Sequence, residues 1–257
     1  MPSFIDTHAH LYDSKYAEDL PEVIAFCLAQ GVEKIYLPNL NLETVAPMIA
    51  LEKEYPGLCK AMIGLHPCEV KEDFEDKLAE MATWFDKHIF AAIGEVGTDL
   101  YWDKTFYPQQ VKALHIAIDW AEQYNLPLVL HARESLAETI AIIKERQKGN
   151  LTGVFHCFSG TLEEAKEIID LGFYLGIGGI VTFSKSHLPA LLSTISLNHI
   201  VLETDSPYLA PTPKRGKRNQ PGYLPFITDA IARIKGVSLE EVAKKTTENA
   251  GILFGAA

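Results

Sequence analysis

Along the chain, short apolar runs alternate with longer stretches whose apolar positions recur every three or four residues. Eight of the short runs read as buried parallel strands: SFID (3–6), KIYLPN (34–39), KAMIGLH (60–66), FAAIGEV (90–96), PLVLH (127–131), GVFHC (153–157), FYLGIG (173–178) and HIVLETD (199–205). Between them the spacing turns helical. In 109–124, Val111, Leu114, Ile118 and Ala121 share one face, while Lys112, Asp119 and Glu122 fall on another and His115 is assigned a structural place. Ser135 with Glu138, Thr161 with Glu164 and Ser238 with Glu241 each fit a capping box, and Gly31 and Gly172 suit helix C-termini. Eight strands each followed by a helix predict an α/β fold, a (β/α)8 TIM barrel forming a single domain over 1–257, with a doubly wound open sheet as the alternative.

In such a barrel the loops after the strands converge on one mouth, so the residue that ends each run carries the chemistry. His8 and His10, two apart, face the same way in an extended segment. The third run ends in His66, the fourth in Glu95, the fifth in His131, the sixth in His156 and the eighth in Asp205. Asn39 ends the second, and the glycines of GIGG (176–179) end the seventh, where they would leave room for a ligand. His88, His115, His187 and His199 scatter over other segments, whereas the remaining five histidines all fall at strand ends. Imidazoles and carboxylates around one mouth suit one or two divalent cations; nitrogen donors admit zinc, manganese or iron and carboxylates admit magnesium, so the metal is left open. Two ions can share a carboxylate and make water acidic enough to act at neutral pH. Glu95 is the candidate bridge, with the glycines of IGEVG giving close approach and no lysine in the neighbouring strands to pair with it. Asp205 can ligate, orient the attacking water or take its proton. Glu203 would face the same way in a regular strand.

Composition narrows the partners. The chain of 257 residues is nearly half apolar and about a fifth charged, as a folded globular protein is. No apolar run approaches the ~20 residues a membrane span needs, and MPSFIDTHAH has neither the basic region nor the apolar core of a signal peptide, so a cytoplasmic protein is expected. Cys27, Cys59, Cys68 and Cys157 form no C-x-x-C, and no disulfide framework is expected. A net charge of −11 argues against wholesale adhesion to nucleic acid, though not against a local site. The concentrated basic segment is PKRGKRNQPGY (213–223).

The stretches FIDTHAHL, GLHP, GEVGTDLYW, LVLHARES, FHCFSG, ETDSPYLAP and RGKRNQPGYL together resemble the TatD-type deoxyribonuclease family of metal-dependent hydrolases, from residue 4 to about residue 250. The resemblance implies a (β/α)8 barrel and a divalent-metal-dependent DNase, often acting from a 3′ end. It implies that His8, His10, Glu95 and Asp205 hold one metal and that Glu95, His131 and His156 hold a second, the ions being zinc, magnesium or manganese. Departures lie outside those six positions: Thr98 stands where Leu is usual, HARES is a loose version of its motif, and Gln220 replaces a common Glu. Placed after strand eight, the basic segment would put Arg215, Lys217 and Arg218 at the mouth to engage phosphates; Arg133 and His66 are further candidates for substrate contact.

The expected reaction is hydrolysis of DNA phosphodiesters, on single strands or 3′ ends, with Glu95 and Asp205 as the catalytic carboxylates. The same site would also serve an amide, a lactone or an aminoacyl ester, although the lack of a strand-end lysine tilts against amide cleavage. A binding protein with a vestigial site is the alternative from outside enzymology, and the intact set of six donors opposes it.

Overall fold

The computed structural model describes residues 2–255. Strands β1 (Phe4–Asp6), β2 (Val32–Leu37), β3 (Cys59–Ala61), β4 (Ile93–Asp99), β5 (Leu128–Arg133), β6 (Gly153–Phe155), β7 (Phe173–Ile177) and β8 (Ile200–Leu202) follow one another around a ring. Helices α1 (Leu20–Ala29), α2 (Leu42–Glu54), α3 (Phe74–Ala82), α4 (Tyr107–Tyr124), α5 (Leu136–Arg146), α6 (Leu162–Asp170), α7 (Leu188–Leu192) and α8 (Leu224–Lys235) each follow a strand, and α9 (Leu239–Phe254) closes the chain. All strand pairs are parallel, in two ladders of order β1-β2-β3 and β4-β5-β6-β7-β8. Backbone bonds join the ladders: Gly94 N to Ile63 O (2.8 Å) on one side and Thr7 N to Leu202 O (3.0 Å) on the other. The expected TIM barrel is the fold.

Alternation of period two decides which side chains enter the ring. Leu128 and Leu130 of β5 pack outward with the helices while Val129 points inward; Val154 of β6, Val201 of β8 and Tyr36 of β2 are its inward counterparts. The end of α9 plugs the N-terminal end of the barrel, where Leu253 joins the inner cluster and Phe254 stacks on Tyr36 at 3.9 Å. The opposite end stays open. Two residues beyond each inward valine, the same parity delivers His131, His156 and Glu203 to that open end.

Several boundaries differ from the sequence reading. β4 starts and ends later than expected, so Glu95 lies within the strand, with Asp99 at its end. The β4–β5 register shifts between Gly94 and Val96, and Glu95 is the extra residue of a bulge that re-aims its side chain into the barrel. β3 is shorter than expected, keeping only a bridge from Ile63 to Ile93 beyond Ala61. Beyond β8 the Glu203 N–H still reaches Ile177 O (3.2 Å), but Thr204 turns to the buried Asp6 carboxyl, which accepts from Thr204 N (3.0 Å), the Thr204 hydroxyl (2.6 Å) and, from the first strand's own side, His8 N (3.1 Å). Burial raises the Asp6 pKa to about 8 against those bonds, and the three donors hold this carboxyl at the seam between first and last strands. The Thr161–Glu164 box forms, and Ser238 accepts from Glu241 N. Ser135 does not cap α5: its hydroxyl donates to Thr98 O (2.9 Å) and accepts from the Thr98 hydroxyl (2.8 Å), which also meets Thr139 Oγ1 at 2.7 Å. The buried threonine at 98 thus has its hydroxyl satisfied by Ser135, just before α5, and by Thr139 within it.

The glycines serve packing rather than ligand approach. A Cβ at Gly97, whose φ is +143°, would lie 2.0 Å from His131 O, and one at Gly176 would lie 2.4 Å from Glu203 Oε2. Gly176 therefore makes room for Glu203, and Gly97 lets β4 and β5 close together between Glu95 and His131. Gly97→Ala is expected to lower unfolding stability by about 3 kcal/mol, through strain plus a forced strand separation. Urea denaturation checks this, and a loss below about 1 kcal/mol would contradict it.

Candidate metal centre

Glu95, buried at the centre of the mouth, divides its two oxygens between two groups of imidazoles. Oε2 faces His8 Nε2 (3.1 Å) and His10 Nε2 (3.6 Å) from the extended segment after β1. Oε1 faces His131 Nδ1 (2.8 Å), His156 Nε2 (2.8 Å) and His66 Nε2 (3.4 Å). Asp205, held by a backbone bond from its N–H to His8 O, brings Oδ1 within 3.5 Å of His10 Nε2 and 3.8 Å of His8 Nε2. Donor atoms of His8, His10 and Glu95, of His8, His156 and Asp205, and of His66, Glu95 and His131 each lie within 4.8 Å of one another. The structure therefore brings together all six residues nominated as ligands and adds His66 to their circle.

Tautomers follow from the outer partners. The Tyr12 hydroxyl donates to Pro38 O (2.5 Å), so it can only accept from His10 Nδ1 (2.9 Å), and a neutral His10 turns the lone pair of Nε2 toward the two carboxylates. His131 Nε2 donates to Asp99 Oδ2 (2.9 Å), leaving Nδ1 for the centre. Two carboxylates facing unprotonated ring nitrogens repel unless a cation lies between them, and this donor set fits a divalent ion. His66 is built the other way. Its Nδ1 accepts from Cys68 N (3.1 Å), so the neutral ring carries its proton on Nε2 and offers a hydrogen bond rather than a ligand lone pair.

Without a cation the cluster holds protons. Burial favours neutral forms throughout, but for Glu95 the facing His156, His8 and His66 and the bond from His131 outweigh it, holding the carboxyl well below its usual range. Burial lowers His156 and His131, yet Glu95 and Glu203 around the first, and Asp99 and Glu95 around the second, raise both above the usual histidine value. His8 is lowered, by burial and by the ring of His156 stacked on it at 3.9 Å. Asp205 resists burial through His10, His156 and His8 and stays ionised.

Asp99 and Glu203 are functional residues the sequence reading missed or left open. Asp99 ends β4 and fixes His131; that bond and the N–H groups of Trp102 and Tyr101 bring its pKa down to about 2 despite burial. The signal was present in GEVGTD, as an acid four residues past a candidate ligand. Glu203 does not face the way Asp205 does: φ is +53° at Asp205, and Glu203 Oε1 instead accepts from Cys157 N (2.6 Å) and lies 3.7 Å from His156 Nδ1.

A cavity of about 510 Å3 opens over the cluster, lined among others by His66, Arg133, Trp102, Tyr208 and Asp205. Arg133, a candidate for phosphate contact, is among the lining residues. The basic segment is not part of the lining. Arg218 is engaged within the protein: its guanidinium makes two bonds to Asp19 (2.8 and 2.6 Å), another to Lys15 O, and lies over Tyr16 at 4.5 Å. Arg215 lies over Phe183 at 3.8 Å and donates to Ala210 O (3.3 Å), while Lys217 is exposed on the same loop. Asp19 captured the arginine that the sequence reading assigned to substrate.

Residues 5–255 match the family described as TatD related DNase. The chain is 37% identical over 250 residues to the uncharacterized metal-dependent hydrolase YabD of Bacillus subtilis strain 168, covering 97% of this chain and 98% of that protein. It is 31% identical over 256 residues to the 3′-5′ ssDNA/RNA exonuclease TatD of Edwardsiella piscicida, covering 97% and 98%. Among solved structures, the TatD homologue YJJV of Escherichia coli K12 superposes with a TM-score of 0.92 at 26% identity, over 99% of this chain and 98% of that one.

Two outcomes follow from this geometry. In Asp99→Asn the one remaining oxygen is held by the Tyr101 and Trp102 N–H groups, so an amide N–H replaces the acceptor facing His131, and divalent-ion affinity should weaken about 10- to 100-fold, measured by titration calorimetry, while circular dichroism stays native. Unchanged affinity would show that Asp99 does not orient the ligand. Because the raised pKa values of His131 and His156 mean that an ion displaces protons, affinity should rise from pH 6 to pH 8; a flat or falling profile would contradict that protonation pattern.

Proposed function

The chain belongs to the TatD-related DNase family of metal-dependent hydrolases, and we propose that it hydrolyses phosphodiester bonds of DNA, acting on single strands or 3′ ends. The observation that carries this reading is Glu95, a buried carboxylate with one oxygen toward each of two histidine groups. In this reading His8, His10, Glu95 and Asp205 hold one divalent ion and Glu95, His131 and His156 a second. Bound there, divalent ions lower the pKa of water and offset negative charge on phosphoryl oxygens.

The chain's own residues supply the rest. Glu69, Glu95, Asp99 and Asp205 line a cavity whose guanidinium comes from Arg133 alone, so a phosphate entering it meets four carboxyl groups and needs cationic partners beside them. Divalent ions taking the place of the histidine protons would serve substrate binding as well as chemistry. Asp205, with 16% of its side chain exposed against 3% for Glu95, is the carboxylate that solvent and substrate reach. Kept ionised by its histidine neighbours, it accepts a hydrogen bond from the attacking water and then its proton. His66 lines the same cavity with its Nε2–H toward Glu95 Oε1 (3.4 Å), and in this reading that N–H turns to a phosphoryl oxygen once Glu95 is engaged by a cation, while Arg133 lines the cavity as a second donor. Arg215 and Lys217 lie farther out, where they suit the continuing strand rather than the scissile group. A relative named as a 3′-5′ ssDNA/RNA exonuclease supports the choice of polymer and end.

The test is an assay of single-stranded DNA labelled at either end, run beside a panel of lactones, amides and aminoacyl esters with added magnesium, manganese or zinc. Cation-dependent loss of the 3′ label is expected. Glu95→Ala should reduce that activity by at least about a hundredfold with the barrel intact by circular dichroism. Turnover of lactones or esters with no cleavage of DNA would overturn the reading.

A further inference from the structure

The loop after β4 leaves two large aromatic rings in water beside the cavity. Trp102 is 68% exposed and Tyr101 46%, their rings 4.8 Å apart and nearly perpendicular. Arg133 lies over both, its guanidinium carbon 3.7 Å from the Tyr101 ring centre and 5.4 Å from that of Trp102. The loop is rigidly tied to the centre. Asp99 Oδ1 accepts from Tyr101 N (2.9 Å) and Trp102 N (3.1 Å), while Oδ2 accepts from His131, so one carboxylate sets both a candidate ligand and the aromatic pair. Across the mouth, four strands away in a ring of eight, the loop after β8 presents Tyr208, 45% exposed, with the Lys15 ammonium 4.5 Å over its ring. Trp102, Arg133 and Tyr208 all line the cavity above Glu95.

Resting on the phosphodiesterase reading, we propose that Trp102 is a stacking platform for a base of a single-stranded substrate, with Tyr208 as the facing wall, so that the site takes hold of bases as well as phosphates. Exposed indole faces next to a guanidinium are what a flat, π-faced ligand with an anionic backbone fits: the ring takes the base, and Arg133 is shared between cation–π contact and phosphate. Such stacking is indifferent to which base is present, because every base has a π face. A double helix keeps its bases stacked on one another and cannot offer them, so the platform selects single strands and frayed ends. A phosphate-only site would have no use for the exposed rings.

The experiment uses the full chain with manganese and two substrates of equal length, an oligothymidylate and a strand in which every nucleoside is replaced by an abasic tetrahydrofuran residue. The wild type should show a KM about tenfold lower for the base-bearing strand, the size of one stacked base. Trp102→Ala should raise KM for oligothymidylate about tenfold with kcat within about twofold, should leave KM for the abasic strand where it was, and Trp102→Phe should recover most of the loss. A Trp102→Ala enzyme with unchanged KM for oligothymidylate, or with KM raised equally on both strands, overturns the platform. If the wild type cleaves both strands with equal KM, the platform falls and the phosphodiesterase reading stands; if it cleaves neither, the reading falls and the platform with it.

Discussion

One buried carboxylate shared between two groups of imidazoles is the constraint on which the mouth of this barrel depends. Glu95 is nearly inaccessible to water, and leaving a charge there alone would be costly. Five histidines surround it, more positive charge than one carboxylate can balance if all were protonated and too little if none were. Protons on His131 and His156 supply the compensating charge while no metal is bound, and divalent ions held by neutral imidazoles would displace them, which is the sense of a carboxylate placed between two groups of imidazoles.

The rest of the fold serves to aim those donors. Strand parity brings His131, His156 and Glu203 inward from the same register as Val129, Val154 and Val201, and a bulge turns Glu95 to meet them. Outer partners then fix ring orientation: Tyr12 with Pro38 for His10, and Asp99 for His131. The buried carboxyl of Asp6 joins first strand to last and so holds His8 beside Asp205, two residues nearly 200 positions apart in sequence. Removing any of these supports leaves every ligand present and misdirects it, a loss expressed in metal affinity before it is expressed in fold.

What could be read from the sequence was governed by locality. Eight apolar runs separated by helical spacing carry the barrel, and the residues ending those runs carry the convergence of imidazoles and carboxylates on one mouth, because strand direction alone holds that information; the choice of six among them as ligands rests on the family resemblance. What escaped depends on contacts between distant segments. The bulge at Glu95 is invisible in IGEVG, where the glycines suggest room for metal and in fact let β4 approach β5. Gly176 looks like space for a ligand and is space for Glu203. Ser135 and Glu138 have the spacing of a capping box, but the hydroxyl of Thr98, reached only in three dimensions, takes the serine. Arg218 reads as a phosphate contact until Asp19 arrives from the loop before α1. Asp99 and Trp102, by contrast, were within reach: both belong to GEVGTDLYW, one as an acid ending a strand and the other as an aromatic just beyond it.

The central claim is that Glu95 bridges two cation positions. Crystals soaked in manganese and measured for anomalous scattering test it directly. The account predicts two peaks, one between Glu95, His8, His10 and Asp205 and the other between Glu95, His131 and His156. Soaked crystals with no peak touching either oxygen of Glu95 would contradict it.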